Sequence, residues 1–151
     1  MTDASTPEAE LLRTLACVLD EIIPPSADGK LPGAGALGVG EGFAASPELR
    51  PVIEQGVGVV DALARERGAA GYVALPAGER RGVLEASAAK APAFLPTLIA
   101  QTLVVYYQDA SVLEALGFRA GPPFPRGFTV EPTDFSLLDP VRERPPFFRE
   151  P

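Results

Sequence analysis

PEAELLRTLACVLDEIIPP, residues 7–25, decides the fold class. Leu12, Leu15, Ala16, Leu19, Ile22 and Ile23 recur at helical spacing and form one apolar stripe. Just upstream, Ser5-Thr6-Pro7-Glu8 offers a capping residue, a first-turn proline and a box glutamate. Pro24-Pro25 ends the helix, because neither ring nitrogen can donate a hydrogen bond and the first proline restricts Ile23.

Outward from this helix the same period recurs. A glycine-rich loop, SADGKLPGAGALGVGEG, occupies residues 26–42. Ser46-Pro47-Glu48 then opens a second helix that runs to Arg67 and stops at Gly68, with Val52, Ile53, Val59, Val60 and Leu63 on its apolar side. Gly56 and Gly58 each weaken that helix by about 1 kcal/mol relative to alanine. The spacing predicts a shorter helix over 77–90 with Val83, Leu84 and Ala88 inward. Another starts at Pro92 or Pro96 and reaches Tyr107, with Leu95, Leu98, Ile99, Thr102, Leu103 and Tyr106 as its stripe. Val104 and Val105 face elsewhere, and a helix apolar nearly all round is expected at the centre of a bundle. Asp109 caps a last short helix through Val112, Leu113 and Leu116, closed by Gly117. No alternating pattern of useful length appears, so the expectation is an all-α bundle of five to six helices over residues 1–117.

Residues 118–151 differ in texture. They hold eight of the seventeen prolines and six of the eight phenylalanines, with five positive and five negative charges. Proline density argues against helix, and so many aromatics argue against a solvated linker. The expectation is an extended C-terminal arm that lies against its own bundle or a partner.

The formal charge of the chain is -7, and all of it falls on the first 117 residues. That balance disfavours a general nucleic-acid binder, which needs a basic stripe for phosphates. The chain lacks histidine, which removes Ser-His-Asp machinery and His-ligated metal sites, and its one cysteine, Cys17, excludes an internal disulfide. Gly33-Ala34-Gly35-Ala36-Leu37-Gly38 spells the glycine fingerprint of dinucleotide sites, with Asp61 further on. The chemistry needs a buried strand before the glycines and a helix straight after, and a helix with a polar loop precedes them here. A flexible glycine loop is the expected reading. Asp20 and Glu21 could act as an acid–base pair, but neighbours on a helix diverge by about 100°. Asp20 is expected instead to fold over and accept backbone N–H groups of the Pro24-to-Gly33 loop. Tyr106 is expected in the core and Tyr107 at an interface. Cys17 is expected to be an inert thiol, and Arg80 and Arg81 a solvated pair. The uncharged run 91–108 contains two prolines and is not expected to span a membrane.

Two segments together resemble the family of gluconate 2-dehydrogenase subunit 3, the small subunit of membrane-linked sugar and polyol dehydrogenases. In residues 15–39 the matching positions are Asp20, Ile22, Ile23, Pro24, Pro25, Pro32, Gly33, Ala34 and Val39. In residues 106–123 they are Tyr106, Tyr107, Leu116, Gly117, Phe118, Gly121, Pro122 and Pro123. With the spacing of the middle helices, the resemblance covers about residues 8–127. It implies a non-catalytic accessory subunit of a large FAD-containing oxidoreductase of the glucose-methanol-choline (GMC) type. FAD would sit in that partner, whose electrons pass on to a cytochrome c. The family offers no catalytic, cofactor-binding or metal-binding residues to carry over. Its small subunits commonly bear a twin-arginine export signal, whereas this sequence opens MTDAST. The expectation is therefore a cytoplasmic complex, or a periplasmic one if a leader has been trimmed.

The candidate partner-facing or motif residues are Asp20, Pro24, Pro25, Pro32, Gly33, Tyr107, Gly117, Phe118, Pro122, Pro123, Phe124 and Phe128. Two alternatives stand beside the accessory subunit. One is a helical adaptor or chaperone without a flavoprotein client, and the other a free-standing enzyme using a carboxylate such as Asp20 or Asp61.

Overall fold

Every regular element among the residues described by the computed structural model (7–121, 127 and 131–145) is helical. The chain divides into two units, Met1–Ala120 and Gly121–Pro151.

In the first unit, α1 (Pro7–Ile22) ends directly ahead of the two prolines, as its sequence requires. Its buried side chains are Thr14, Leu15, Val18 and Leu19, with Leu11 and Ile22 half-buried beside them. The stripe is thus rotated slightly from the expected one, and Leu12 and Ala16 lie at its edge. The expected cap at Ser5 lies outside the described residues. Then follow a 3-10 turn (Ala34–Leu37), α2 (Val39–Ala45) and α3 (Arg50–Glu66). After a second 3-10 turn (Tyr72–Ala74) come α4 (Ala77–Ser87), α5 (Phe94–Tyr106) and α6 (Ala110–Ala115).

The segment expected as a flexible glycine loop is instead fastened, and from Ala34 onward it is helical apart from Gly38. Gly38 adopts φ +69 and lets the 3-10 turn run directly into α2, which buries Val39, Phe43 and Ala44. Arg50 then ties three helices together. Its guanidinium donates to both oxygens of Glu8 at 2.6 and 3.0 Å, to Glu54 at 2.7 Å and to the Ala44 carbonyl at 3.3 Å. These carboxylate bonds raise its already high pKa.

The central helix is α1, which packs against α2, α3, α4, α5 and both 3-10 turns. The expectation that α5 occupies the centre is overturned. Only Phe94, Leu98, Thr102 and Tyr106 of α5 are buried, a single row at i, i+4 spacing. In α3 the buried row is Ile53, Gly56, Val57, Val60 and Ala64. Gly56 is there for space, because a Cβ on it would overlap the Phe94 ring. In α4, Val83 and Leu84 point inward as expected. Ala88 is exposed, and Ser87 takes the buried place by donating its hydroxyl to the Leu84 carbonyl at 2.7 Å. Asp109 caps α6 through the N–H groups of Ser111 and Val112, and Gly117 closes it at φ +82.

In the second unit the expectation of a wholly extended arm is corrected over residues 135–142. A 3-10 turn (Phe135–Leu138) leads into α7 (Asp139–Arg142). Asp134 caps this turn by accepting from the Ser136 N–H at 3.0 Å and its hydroxyl at 2.7 Å. Pro140 sits in the first turn of α7, where no backbone donor is needed. Proline therefore starts this helix rather than forbidding it. Among the described residues no helix is long and apolar enough to cross a membrane.

The two glycines of α3 should respond to alanine with opposite signs. Gly56→Ala overpacks the Phe94 contact and should lower stability by about 1–3 kcal/mol. Gly58→Ala meets open space and should raise it by about 0.5–1 kcal/mol. Urea unfolding followed by circular dichroism measures both.

Candidate interaction surface

The motif residues of the first resemblance segment form an internal clasp. Asp20, half-buried near the end of α1, accepts the Gly35 N–H through Oδ1 at 2.9 Å. Asp20 does accept a backbone amide beyond α1, but the donor lies in the 3-10 turn, two residues past the Pro24-to-Gly33 loop expected to supply it. Gly33 is buried, and a Cβ there would overlap the Asp20 carboxylate, while a Cβ on Gly35 would overlap the Ala16 carbonyl. Only glycine admits so close an approach of loop to helix. The Ile23 carbonyl accepts the Ala34 N–H at 2.9 Å, and Ser26 bonds Leu31 in both directions at 2.9 Å. The half-buried Pro32 presents its carbonyl to the hydroxyl of Tyr106 at 2.8 Å, which links the loop to α5. Pro24 and Pro25 are exposed.

Asp61 repeats this arrangement in α3. Its Oδ1 accepts the Tyr72 N–H at 2.8 Å, with Gly71 beside it. Asp61 lines an open cleft of about 420 Å³ with Glu10, Arg13, Arg65 and residues 70–74. Asp20 and Asp61 thus each accept a backbone N–H from the chain beyond their helix, whereas Glu21 lines the groove described below. Arg80, expected to be solvated, is half-buried and donates to the carbonyls of Leu75 and Val73 at 3.1 Å each. Arg81 is exposed and pairs with Glu85 at 3.1 Å. Burial raises the pKa of the Cys17 thiol, which suits an unreactive side chain. Among the described residues no group of three acidic, cysteine or histidine side chains is placed to hold a metal ion.

The second resemblance segment opens onto a different surface. Tyr106 is buried as expected, with Tyr107 edge-on to it at 5.2 Å and 52% exposed. Gly117 is an exposed helix stop, and Phe118 beyond it is 64% exposed. Pro122, Pro123, Phe124 and Phe128 lie outside the described residues. The residues that reading the sequence missed are on α5: Ile99, Leu103, Val104 and Val105 are all exposed. They were expected in a central helix, and an unphased apolar helix is equally the signature of one with a core face and an outward apolar face. Complete burial of each such side chain stabilises by about 1.5–3 kcal/mol, so this face has much to gain from cover. Beside it runs a groove of about 530 Å³ with Ile22, Leu84, Leu95, Ile99 and Leu103 as apolar lining and Glu21, Arg81 and Glu85 as its charged lining.

Comparison of the chain with protein-family models, with curated proteins and with solved structures finds no match.

Two measurements check the clasp. Asp20→Ala should cost about 1–3 kcal/mol by leaving the Gly35 donor unpaired, and hydrogen exchange at the Gly35 amide should accelerate more than at the middle of α3. Burial also raises the phenol pKa of both Tyr72 and Tyr106. Ionisation is therefore harder in the folded chain than in the unfolded one. Their contribution to stability is complete below about pH 10 and is lost as pH climbs beyond it. Urea midpoints taken from pH 8 upward should fall in that alkaline range, and less steeply in Tyr106→Phe.

Proposed function

We propose that this chain is a small accessory subunit without catalytic residues of its own, which binds and stabilises a large FAD-dependent sugar or alcohol oxidoreductase of the GMC type. The observation that carries the proposal is the apolar outer face of α5, where Ile99, Leu103, Val104 and Tyr107 are 39–55% exposed. Contiguous apolar exposure of this kind marks a surface for a protein partner. The type of partner rests on the resemblance to gluconate 2-dehydrogenase subunit 3, carried by Asp20 to Val39 and Tyr106 to Pro123. The clasp supports it in physical terms, since the resembling positions Asp20, Pro32, Gly33 and Tyr106 act together to fix one loop against α1 and α5. In this reading FAD belongs to the large subunit and supplies the redox chemistry, with a cytochrome c downstream of it. The small chain contributes an acidic helical scaffold.

Affinity purification of the tagged full chain from its host, followed by an absorbance spectrum and mass spectrometry of what accompanies it, tests this reading. The expected result is a larger subunit carrying flavin bands. A colourless chain that retains only non-flavin clients would replace the proposal with a helical adaptor. Turnover by the isolated chain would replace it with a free-standing enzyme.

A further inference from the structure

Two parallel rows run along α5. Phe94, Leu98, Thr102 and Tyr106 are buried, and the adjoining row at the same i, i+4 spacing is Leu95, Ile99, Leu103 and Tyr107. Leu95 is half-buried, and the other three are exposed. A ridge of i, i+4 side chains is the feature that interlocks with the matching ridge of another helix, at a crossing angle of about −50°. From Leu95 to Leu103 this ridge is about 12 Å long at 1.5 Å rise per residue, and it borders the groove floored by Ile22 and Leu84.

The chemistry of the site narrows the occupant. An extended segment would find no free backbone donors or acceptors on a helix, whereas a helix brings its own satisfied backbone. Among the described residues the charged lining is Glu21, Glu85 and Arg81, and Arg81 is paired with Glu85. A second copy would oppose two acidic rims and two chains of net charge -7, a repulsive arrangement. Resting on the reading of α5 as the interface, we infer that the groove seats a helix of the partner protein whose apolar ridge is flanked by lysine or arginine, one of which faces Glu21.

Two model helices of about 20 residues, long enough to hold helix in water, provide the test. Both carry leucine at i, i+4 spacing, one flanked by Lys and Arg and the other by Glu. Fluorescence anisotropy with the full chain should show the basic helix binding at least tenfold more tightly. Ile99→Asp and Leu103→Asp should each weaken that binding tenfold or more while circular dichroism stays unchanged. Val73→Asp, an exposed position on the charged cleft, should leave it unaltered. Equal binding of the two helices, no binding of either, or no effect of Ile99→Asp and Leu103→Asp in folded protein overturns the inference. So does self-association of the wild-type chain in sedimentation velocity that Ile99→Asp abolishes, which would make the occupant a second copy. A flavoprotein that accompanies wild type and Ile99→Asp equally overturns the seating while leaving the accessory role intact. A groove that binds the basic helix in a chain without a flavoprotein partner does the reverse.

Discussion

One hydrogen bond organises much of the first unit: the Gly35 N–H donated to Oδ1 of Asp20 at 2.9 Å. The bond needs the loop to come so near α1 that a Cβ on Gly33 or Gly35 would collide with the helix. Glycine at those two positions and aspartate near the end of α1 are therefore one requirement, written across fifteen residues of sequence. The positions that follow depend on it. The 3-10 turn Ala34–Leu37 lies against α1, Gly38 redirects the chain, and α2 brings Val39 and Phe43 into the core. Pro32 is held where its carbonyl can take the Tyr106 hydroxyl, so the same loop fixes the end of α5.

That placement has a consequence for the surface. With Phe94, Leu98, Thr102 and Tyr106 turned inward, helical geometry turns Ile99, Leu103 and Tyr107 outward. The Phe94 ring occupies space that Gly56 vacates on α3, which fixes the rotation of α5 at its other end. Core and outer face are thus the same decision. Thr102, whose buried hydroxyl has no hydrogen-bond partner among the described residues, is a cost of that arrangement, since a buried unpaired hydroxyl destabilises by about 1–3 kcal/mol.

Carboxylates are used in a consistent way across the molecule. Asp20 and Asp61 each project from a helix to accept a loop N–H beside a glycine, and Asp109 and Asp134 each cap a helical turn. Glu8 and Glu54 fork onto Arg50. Such roles consume acidic side chains in folding, whereas Glu21 and Glu85 line the α5 groove beside an outward apolar surface.

Local rules alone determined a good deal. The all-α class, the end of α1 at Pro24-Pro25, the Asp109 cap and the stops at Gly68 and Gly117 all follow from backbone chemistry within a few residues. Those interactions are short-range, so the residue types that make them are visible in sequence. The tertiary structure decided what depends on distant neighbours. It made α1 rather than α5 the central helix, turned a glycine run into a 3-10 turn and α2, and placed a helical turn among the prolines of the second unit. Gly56 read as a weakness in α3 until Phe94 was seen to need its space. Composition cannot phase a helix that is apolar on every side, because periodicity vanishes when no polar face marks the solvent. Which of its rows is core and which is left for a partner is settled only by what packs against it.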